Sequence, residues 1–482
     1  MQTECNPEPF TFQDLGTRSV VAQFDGGTIT SDGGAVLLRE LESKRRIIGQ
    51  FADCLTDHRD PGAIEFPVEH LLAQRIFGIA LGYEDLNDHD LLRADPLLAT
   101  VVGAKDPSGQ DRRRAGDRGK PLAGKSTLNR LELRTGDPNK DGVYKKIEVH
   151  AEKVDAFFVE VFLQAHREVR GRIYLDLDAT DDRIHGNQEG RYYHGYYGDY
   201  CYLPLYIFCD DFLLCARLRS SNIDGSKGAL DEVRRIVGQI RTRWPKTEIV
   251  LRGDSGFCRE ELMAWCEEQQ DVYYLFGLAK NARLLKKLEH ERELAEIRHH
   301  ITRKAERVFG EFHYKTHESW ARERRVIGKA EHLEKGANPR FVVTSLPYYD
   351  EGERGEVVIN DARHVYERLY CARGEMENRI KEQQLDLFAD RTSATLMAAN
   401  QVRLWLSSVA YVVMNEIRRV GLEGTKFAQA QCGTIREKLL KIGARVRVSV
   451  RRVALSLSSA YPYRELFGHV YRKLMALDPL RC

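Results

Sequence analysis

RIYLDLDAT, residues 172–180, is the stretch on which the fold turns. Ile173, Leu175 and Leu177 share one face of its alternation, and Tyr174, Asp176 and Asp178 share the other. That is a strand with an apolar side and a side carrying carboxylates. Upstream the period is helical: in VDAFFVEVFLQA (154–165), Val154, Phe157, Phe158, Val161, Phe162 and Ala165 fall at i, i+3, i+4, i+7, i+8 and i+11. Downstream, YLPLYIFCD (202–210) and FLLCARLRS (212–220) read as strands joined at Asp210-Asp211. The helix ALDEVRRIVGQIRTRW (229–244), the strand TEIVLRGDSGF (247–257), the helix REELMAWCEEQ (259–269) and the strand VYYLFGLA (272–279) follow. Three strands, helix, strand, helix, strand predicts an α/β sheet of antiparallel strands extended by parallel ones.

The regions outside this core differ in character. Residues 1–170 read as mainly helical, after an early hairpin signal in SVVAQFDGGTIT (19–30) with Asp25-Gly26 as its turn. From 281 to 360 a charged helix gives way to RVFGEFHYKTHESWARERRVIGKA and PRFVVTSL, which read as strands with polar turns. A long helix resumes near Asp361 and runs to about Phe388. The net charge of +2 over 482 residues conceals an asymmetry. Residues 391–482 hold 16 Lys/Arg against 5 Asp/Glu, and residues 103–134 hold 9 against 4, so both can face a polyanion. In ARVRVSVRR, Arg445, Arg447 and Arg451 are spaced to share one strand face opposite Val446, Val448 and Val450, a cationic ribbon suited to a DNA backbone or to protecting a sheet edge.

Several function classes are disfavoured. No run of eighteen apolar residues occurs, and the N-terminal MQTECNPEPF lacks a basic and an apolar signal region, so neither a membrane span nor a secretory signal is expected. Ten cysteines without a C-x-x-C pair disfavour a zinc site or a disulfide framework, and a cytoplasmic protein is expected. GKPLAGKS (119–126) fits the phosphate-loop pattern, but the preceding KDPSGQDRRRAGDR contains no apolar run to serve as the feeding strand. Pro121 further restricts the loop, which therefore reads as a basic loop ending in a helix cap, with no nucleotide partner.

Two strands end on an aspartate, Asp178 and Asp254. In open α/β sheets, sites form outside the carboxyl ends of strands, and two acids delivered there repel unless a cation lies between them. Mg²⁺ takes such oxygen donors; strand-terminal Asp residues also simply start turns. Tyr370, Arg373, Glu377, Lys381 and Gln384 then project from one face of the late helix, beside an apolar stripe of Leu369, Ala372, Met376 and Ile380. That face offers a third carboxylate flanked by phosphate-binding cations, or an i,i+4 ion pair in solvent. Alternation alone leaves Asp176 and Asp178 both open as the first acid.

LDLDATDD, LRGDSGF and YCARGEMENRIKE together resemble the DDE transposases of bacterial insertion sequences, most closely the 1380 family, related to the group 4 transposases, over nearly the whole chain. The resemblance implies a ribonuclease-H-like catalytic core with a β-rich insertion, flanked by a helical N-terminal domain and a basic C-terminal region. The corresponding boundaries are 1–170 for the DNA-binding N-terminal domain, 171–280 for the first part of the core, 281–360 for the insertion, 361–390 for the helix carrying the catalytic Glu, and 391–482 for the basic region. It implies Asp178, Asp254 and Glu377 as catalytic, metal-binding residues, with Asp178 preferred because the family places its first Asp in a D-x-T context. Two Mg²⁺ ions are expected, with Mn²⁺ able to replace them. Tyr370 and Arg373 match the family signature; its later Lys is Gln384 here, so Lys381 on the same face is the candidate replacement. Tyr370, Arg373, Lys381, Arg445, Arg447, Arg451 and Trp320 are the candidate DNA contacts, with Trp320 either a core residue of the insertion or a ring that stacks on an unpaired base. EGRYYHGYYGDY (189–200) is a candidate lining of the DNA channel or a plain hairpin connection.

The implied activity is metal-dependent cleavage of element ends and strand transfer into target DNA, by a homodimer associated with the nucleoid. A nuclease on the same fold without strand transfer, or a silent DNA-binding descendant, are the rivals. From the missing strand before GKPLAGKS, no ATP or GTP hydrolysis is expected; saturable ATP binding that disappears in Lys125→Ala would overturn that reading.

Overall fold

The strand at 172–180, with Ile173, Leu175 and Leu177 on one face and Asp176 and Asp178 on the other, lies inside a sheet that is covered on both sides. The structure, a computed structural model, describes residues 9–132, 146–166, 168–351 and 357–479, so the first eight residues of the stretch read for a signal lie outside it. The sheet strands are β1 (Arg172–Ala179), β2 (Leu205–Cys209), β3 (Phe212–Arg217), β4 (Glu248–Gly253), β5 (Val272–Leu278), β6 (Glu306–Tyr314), β7 (Arg324–Leu333), β8 (Gly336–Ala337) and β9 (Arg340–Thr344). Their order is β3-β2-β1-β4-β5-β9-β7-β6, with β8 paired to β7. β1, β2 and β3 pair antiparallel, whereas β1–β4 and β4–β5 are parallel, as the alternation of strands and helices in the sequence predicts.

Each face of the sheet has its own core. Ile173, Leu175 and Leu177 pack with Phe162 of the helix Ala151–Ala165, with Val233, Ile236 and Ile240 of Ala229–Arg243, and with Leu262 and Met263 of Glu260–Glu268. On the opposite face Val250, Leu275, Ile327 and Val342 pack with Val365 and Tyr366. The late helix therefore covers the face from which Asp176 and Asp178 project.

The 281–360 segment, expected as a β-rich insertion, does not stand apart from the sheet. β9 pairs antiparallel with β5, and β7 and β6 follow outward. The physical reason is that β5 would otherwise be an open edge with unpaired backbone groups. Trp320 takes the core reading, which corrects its place among the DNA contacts: it is 4% exposed and belongs to the core of the Ile173 face, with Tyr314 edge-on at 5.7 Å and the Arg324 guanidinium 5.4 Å from its ring centre. Its indole offers no free face to a base.

The chain divides into two units. One comprises the described parts of residues 53–56 and 132–408 and contains the sheet; the other comprises the described parts of residues 1–52, 57–131 and 409–482. The helical N-terminal and basic C-terminal segments, expected as separate domains, thus share a unit, while the helix Ala151–Ala165 joins the sheet. Within the shared unit, Asp32 accepts from the Tyr83 hydroxyl at 2.6 Å and pairs with Lys441 at 2.7 Å, and Ile29–Thr30 pairs with Ala444–Arg445. Gly34 sits so close to the Leu439 carbonyl that a Cβ would lie 2.0 Å from it, so this junction requires glycine. The early hairpin is Phe10–Leu15 with Arg18–Ala22, turning at Gly16 (φ 63°) and not at Asp25-Gly26.

The Arg/Val ribbon is shorter than its alternation. Ala444–Ser449 pairs with Arg452–Leu457, leaving Val450 and Arg451 as the connecting turn. Arg445 and Arg447 are exposed on the strand, but Arg451 is off that face and Val450 is fully solvated. In GKPLAGKS, Leu122 and Ala123 are buried, the Gln74 amide brackets the Ala123 backbone, and Lys125 pairs with Asp90 at 3.1 Å. Arg112 is buried against Glu65. Residues 103–124 form no strand, only one 3-10 turn at Ala115–Asp117. Among the described residues no helix is long and apolar enough to cross a membrane.

One buried ion pair locks the centre of the sheet. Arg252 and Asp176 are register partners on β4 and β1, and the guanidinium donates to both carboxylate oxygens, at 2.6 and 2.7 Å. Its third nitrogen donates to the Leu369 carbonyl at 2.7 Å. Removing one partner leaves the other buried and uncompensated, so Arg252→Met is expected to destabilise the chain by about 3–5 kcal/mol in urea unfolding. A loss below about 1 kcal/mol would show that the pair does not lock the sheet.

Candidate active site

Parallel pairing of β1 with β4 sends both strands to the same sheet edge, which places Asp178 in the last turn of β1 near Asp254, one residue beyond β4. The two aspartates open onto a cleft of about 540 Å³. Its other wall is the late helical run, which contributes Arg373, Glu377, Lys381 and Gln384. That run is not a uniform helix: π-helical turns at Val365–Tyr370 and Glu382–Asp386 flank a 3-10 turn and the α-helix Gly374–Lys381. Met376 and Ile380 are buried as their stripe predicts, whereas Ala372 is exposed.

Backbone groups fix the two aspartates. The Ala179 N–H donates to Asp178 Oδ1 at 2.9 Å, and the Gly256 N–H donates to Asp254 Oδ1 at 2.8 Å. Arg373 spans from Asp178 to Glu377, with Nη1 3.4 Å from Asp178 Oδ2 and Nη2 2.9 Å from Glu377 Oε1. Burial pushes the Asp178 carboxyl up to about 6; Arg373 pulls it down, and the charges of Asp254 and Glu377 push it up. Burial alone would lower the Arg373 value, but the surrounding acids, Asp178 foremost, hold it above its usual value. Tyr370 stands over β5: a Cβ on Gly277 would lie 2.6 Å from its hydroxyl and 3.0 Å from the Ser255 nitrogen. Glycine at 277 is what lets the phenol reach the loop carrying Asp254.

The neighbouring acids separate by environment. Asp176 is 3% exposed and held by Arg252, so it does not open onto the cleft. Gln384 donates to the Asp181 carbonyl at 3.1 Å and to Asp182 Oδ1 at 3.0 Å, bracing the turn after β1. Lys381 is exposed at the cleft and has no ion pair among the described residues. The structure thus brings together Asp178, Asp254, Glu377, Arg373 and Lys381 at the cleft, with Tyr370 beside the Asp254 loop, while Arg445, Arg447 and Arg451 lie in the other unit. Among the described residues no three His, Cys, Asp or Glu side chains stand at a common metal-ligating spacing. Sequence reading did not single out Arg252, although its place in RGDSGF opposite Asp176 was the available signal. It also left open the wall formed by His194, Tyr196 and Tyr197.

A protein-family model described as Transposase DDE domain group 1 matches residues 12–479 of this chain. Among solved structures, the chain is similar to a piggyBac transposase synaptic complex with hairpin DNA, at 12% identity and a TM-score of 0.42. That match covers 93% of this chain and 82% of the other. No curated protein sequence matches.

The Asp178 shift has a stability consequence. With its carboxyl moved from 3.8 to about 6, the folded state binds the proton more tightly than the unfolded state. Its contribution is therefore full below pH 4 and is lost as pH rises through about 6. Asp178→Asn removes that loss, so without divalent metal its stability relative to the parent is expected to rise by roughly 2–3 kcal/mol between pH 4 and 7. A pH-independent difference in chemical unfolding would refute the assignment of this shift to Asp178.

Proposed function

We propose a catalytic assignment for this chain, which belongs to the Transposase DDE domain group 1 family: Asp178, Asp254 and Glu377 are its acidic triad, on a ribonuclease-H-like core. Its function is DNA transposition, and the family's members cut and rejoin DNA with divalent metal ions. The observation that carries the residue assignment is the convergence of two parallel strand ends and one helix face on a single cleft, with Arg373 reaching from Asp178 to Glu377.

The donor set fits a hard cation. Every candidate ligand is a carboxylate oxygen; burial first, and the charges of Asp254 and Glu377 after it, disfavour a bare negative charge on Asp178, a cost that a divalent ion would offset. Asp178, Asp254 and Glu377 would hold two Mg²⁺ ions, which when bound lower the cost of charge on the attacking and leaving oxygens of an in-line displacement. The chain's own residues do the rest. The Ala179 and Gly256 amides aim the aspartates into the cleft, and Arg373 orients Glu377 against Asp178. Lys381, exposed on the same wall, supplies a cation to a DNA phosphate.

Cleavage forms a phosphorus–oxygen bond to water and breaks the bond to the 3′ oxygen, leaving a 3′-hydroxyl. In strand transfer that hydroxyl attacks a target phosphodiester and displaces its 3′ oxygen. Pairing of two element ends calls for a homodimer, and membership of the 1380 family of insertion-sequence transposases is part of this reading. Arg445 and Arg447, exposed on their strand, are the remaining candidates for backbone contact outside the cleft.

Single substitutions Asp178→Ala, Asp254→Ala and Glu377→Ala are expected to lower Mg²⁺-dependent cleavage of end DNA by about a thousandfold or more. End binding, measured by gel shift without metal, should stay within a few-fold, because phosphate contacts and metal ligation are separate contributions. Undiminished cleavage by the Asp254→Ala protein would sink the assignment.

A further inference from the structure

The cleft is also bordered, at His194, Tyr196 and Tyr197, by a hairpin that the catalytic assignment does not use. It pairs Tyr192–His194 with Asp199–Tyr202, and Asp182–Arg183 pairs along its second strand. Four tyrosines are exposed in nine residues: Tyr192 at 46%, Tyr193 at 59%, Tyr196 at 86% and Tyr200 at 40%. Exposed rings at this density mark a contact surface, because each leaves a large apolar area in water.

The hairpin is braced and not a loose loop. The Tyr202 hydroxyl donates to the Glu189 carbonyl at 2.5 Å, and the Ser221 hydroxyl donates to the Tyr192 carbonyl at 3.0 Å. Its tip is tied to the catalytic strand: the Tyr197 hydroxyl donates to the Ala179 carbonyl at 3.3 Å, next to Asp178. Tyr196 meets the Tyr197 ring edge-on at 5.0 Å and otherwise faces solvent at the cleft. One strand face carries Tyr193 directly opposite Tyr200, ring centres 5.6 Å apart, with the Arg191 guanidinium 3.8 Å over Tyr200.

We propose that this hairpin is a stacking platform for unpaired DNA bases beside the scissile phosphodiester, with Tyr196 as the primary ring and Tyr193, Tyr200 and Arg191 as the surface that continues it. The inference rests on the catalytic reading of the same cleft. Aromatic faces interleaved with a guanidinium are what unpaired nucleic acid takes, since every base has a π-face and every link a phosphate. A paired duplex keeps its base faces stacked on one another and has none to offer such rings. The tether from Tyr197 to the residue after Asp178 places the platform next to the acid that the reaction needs, so a strand held there has its backbone at the cleft.

The test uses the full chain in EDTA, so that nothing is cut. Binding is measured to end DNA that is blunt, or that carries a short unpaired 3′ or 5′ tail with 2-aminopurine in the tail. Quenching of the 2-aminopurine and tighter binding are expected with one tail polarity, which identifies the strand held. Tyr196→Ala should lower affinity for that tailed probe about tenfold and abolish the quenching, with blunt-duplex affinity unchanged. Tyr196→Trp should restore both. Equal weakening on tailed and blunt DNA, no quenching with either polarity, or no recovery with Trp would overturn the proposal. Failure of the catalytic reading is seen separately, as cleavage that survives Asp254→Ala.

Discussion

The bidentate link from Arg252 to Asp176, with its third arm on the Leu369 carbonyl, is the constraint from which the cleft follows. It joins the two strands that end in Asp178 and Asp254 to the helical run that carries Arg373 and Glu377. A guanidinium suits this role because its planar fork can satisfy a carboxylate and a carbonyl in fixed directions. The Tyr174 ring, with the Arg252 guanidinium 4.6 Å from its centre, shields the group from water, so the pair is strong and also costly to break. Asp178 lies two residues beyond Asp176, and Asp254 two beyond Arg252. A slip of either strand would therefore move an acid out of the cleft and unpair a buried charge at once.

The helical run must also be set at the right height above the sheet. Val365 and Tyr366 pack on Val250 and Leu275, and the absence of a side chain at Gly277 lets Tyr370 approach β5 closely. These contacts are made from the wide π-helical turn at Val365–Tyr370, and the narrower 3-10 turn follows it. The separation of 123 positions from Asp254 to Glu377 makes geometric sense in this light. The intervening residues build β5 and the strands that cover its edge, then return the chain to the face where the aspartates point.

Much of this was legible in the sequence. The change of period at Gly171, the strand ends at Asp178 and Asp254, and the polar face of Tyr370, Arg373, Glu377 and Lys381 all rest on local spacing, and local spacing survives folding. What was not legible depends on pairing over long distances. Nothing in HESWARER says that Trp320 packs into the main core, because that depends on β5 taking β9 as its neighbour. The Arg/Val alternation of 444–451 runs through a turn that pairing with Arg452–Leu457 imposes, so Arg451 leaves the strand face. The shared unit of the N- and C-terminal segments rests on contacts such as Lys441 with Asp32, more than four hundred residues apart.

The choice among four aspartates within seven residues shows how burial and pairing can decide what spacing leaves open. Asp176 is neutralised by Arg252, and Asp181 lies 3.6 Å from the Arg183 guanidinium. Asp182 is fully buried; burial pushes its carboxyl up to about 8, with Asp390 and Asp181 adding to the shift against the Gln384 hydrogen bond. Burial thus disfavours its charged form, and it does not line the cleft. Asp178 differs from all three: its carboxyl borders the cleft, and its cationic neighbour Arg373 is shared with Glu377. A shared, 3.4 Å contact constrains a carboxylate far less than the two short bonds that hold Asp176. Of the four, Asp178 is the one that lines the cleft, and its loose contact with Arg373 leaves it free to exchange that partner for a ligand.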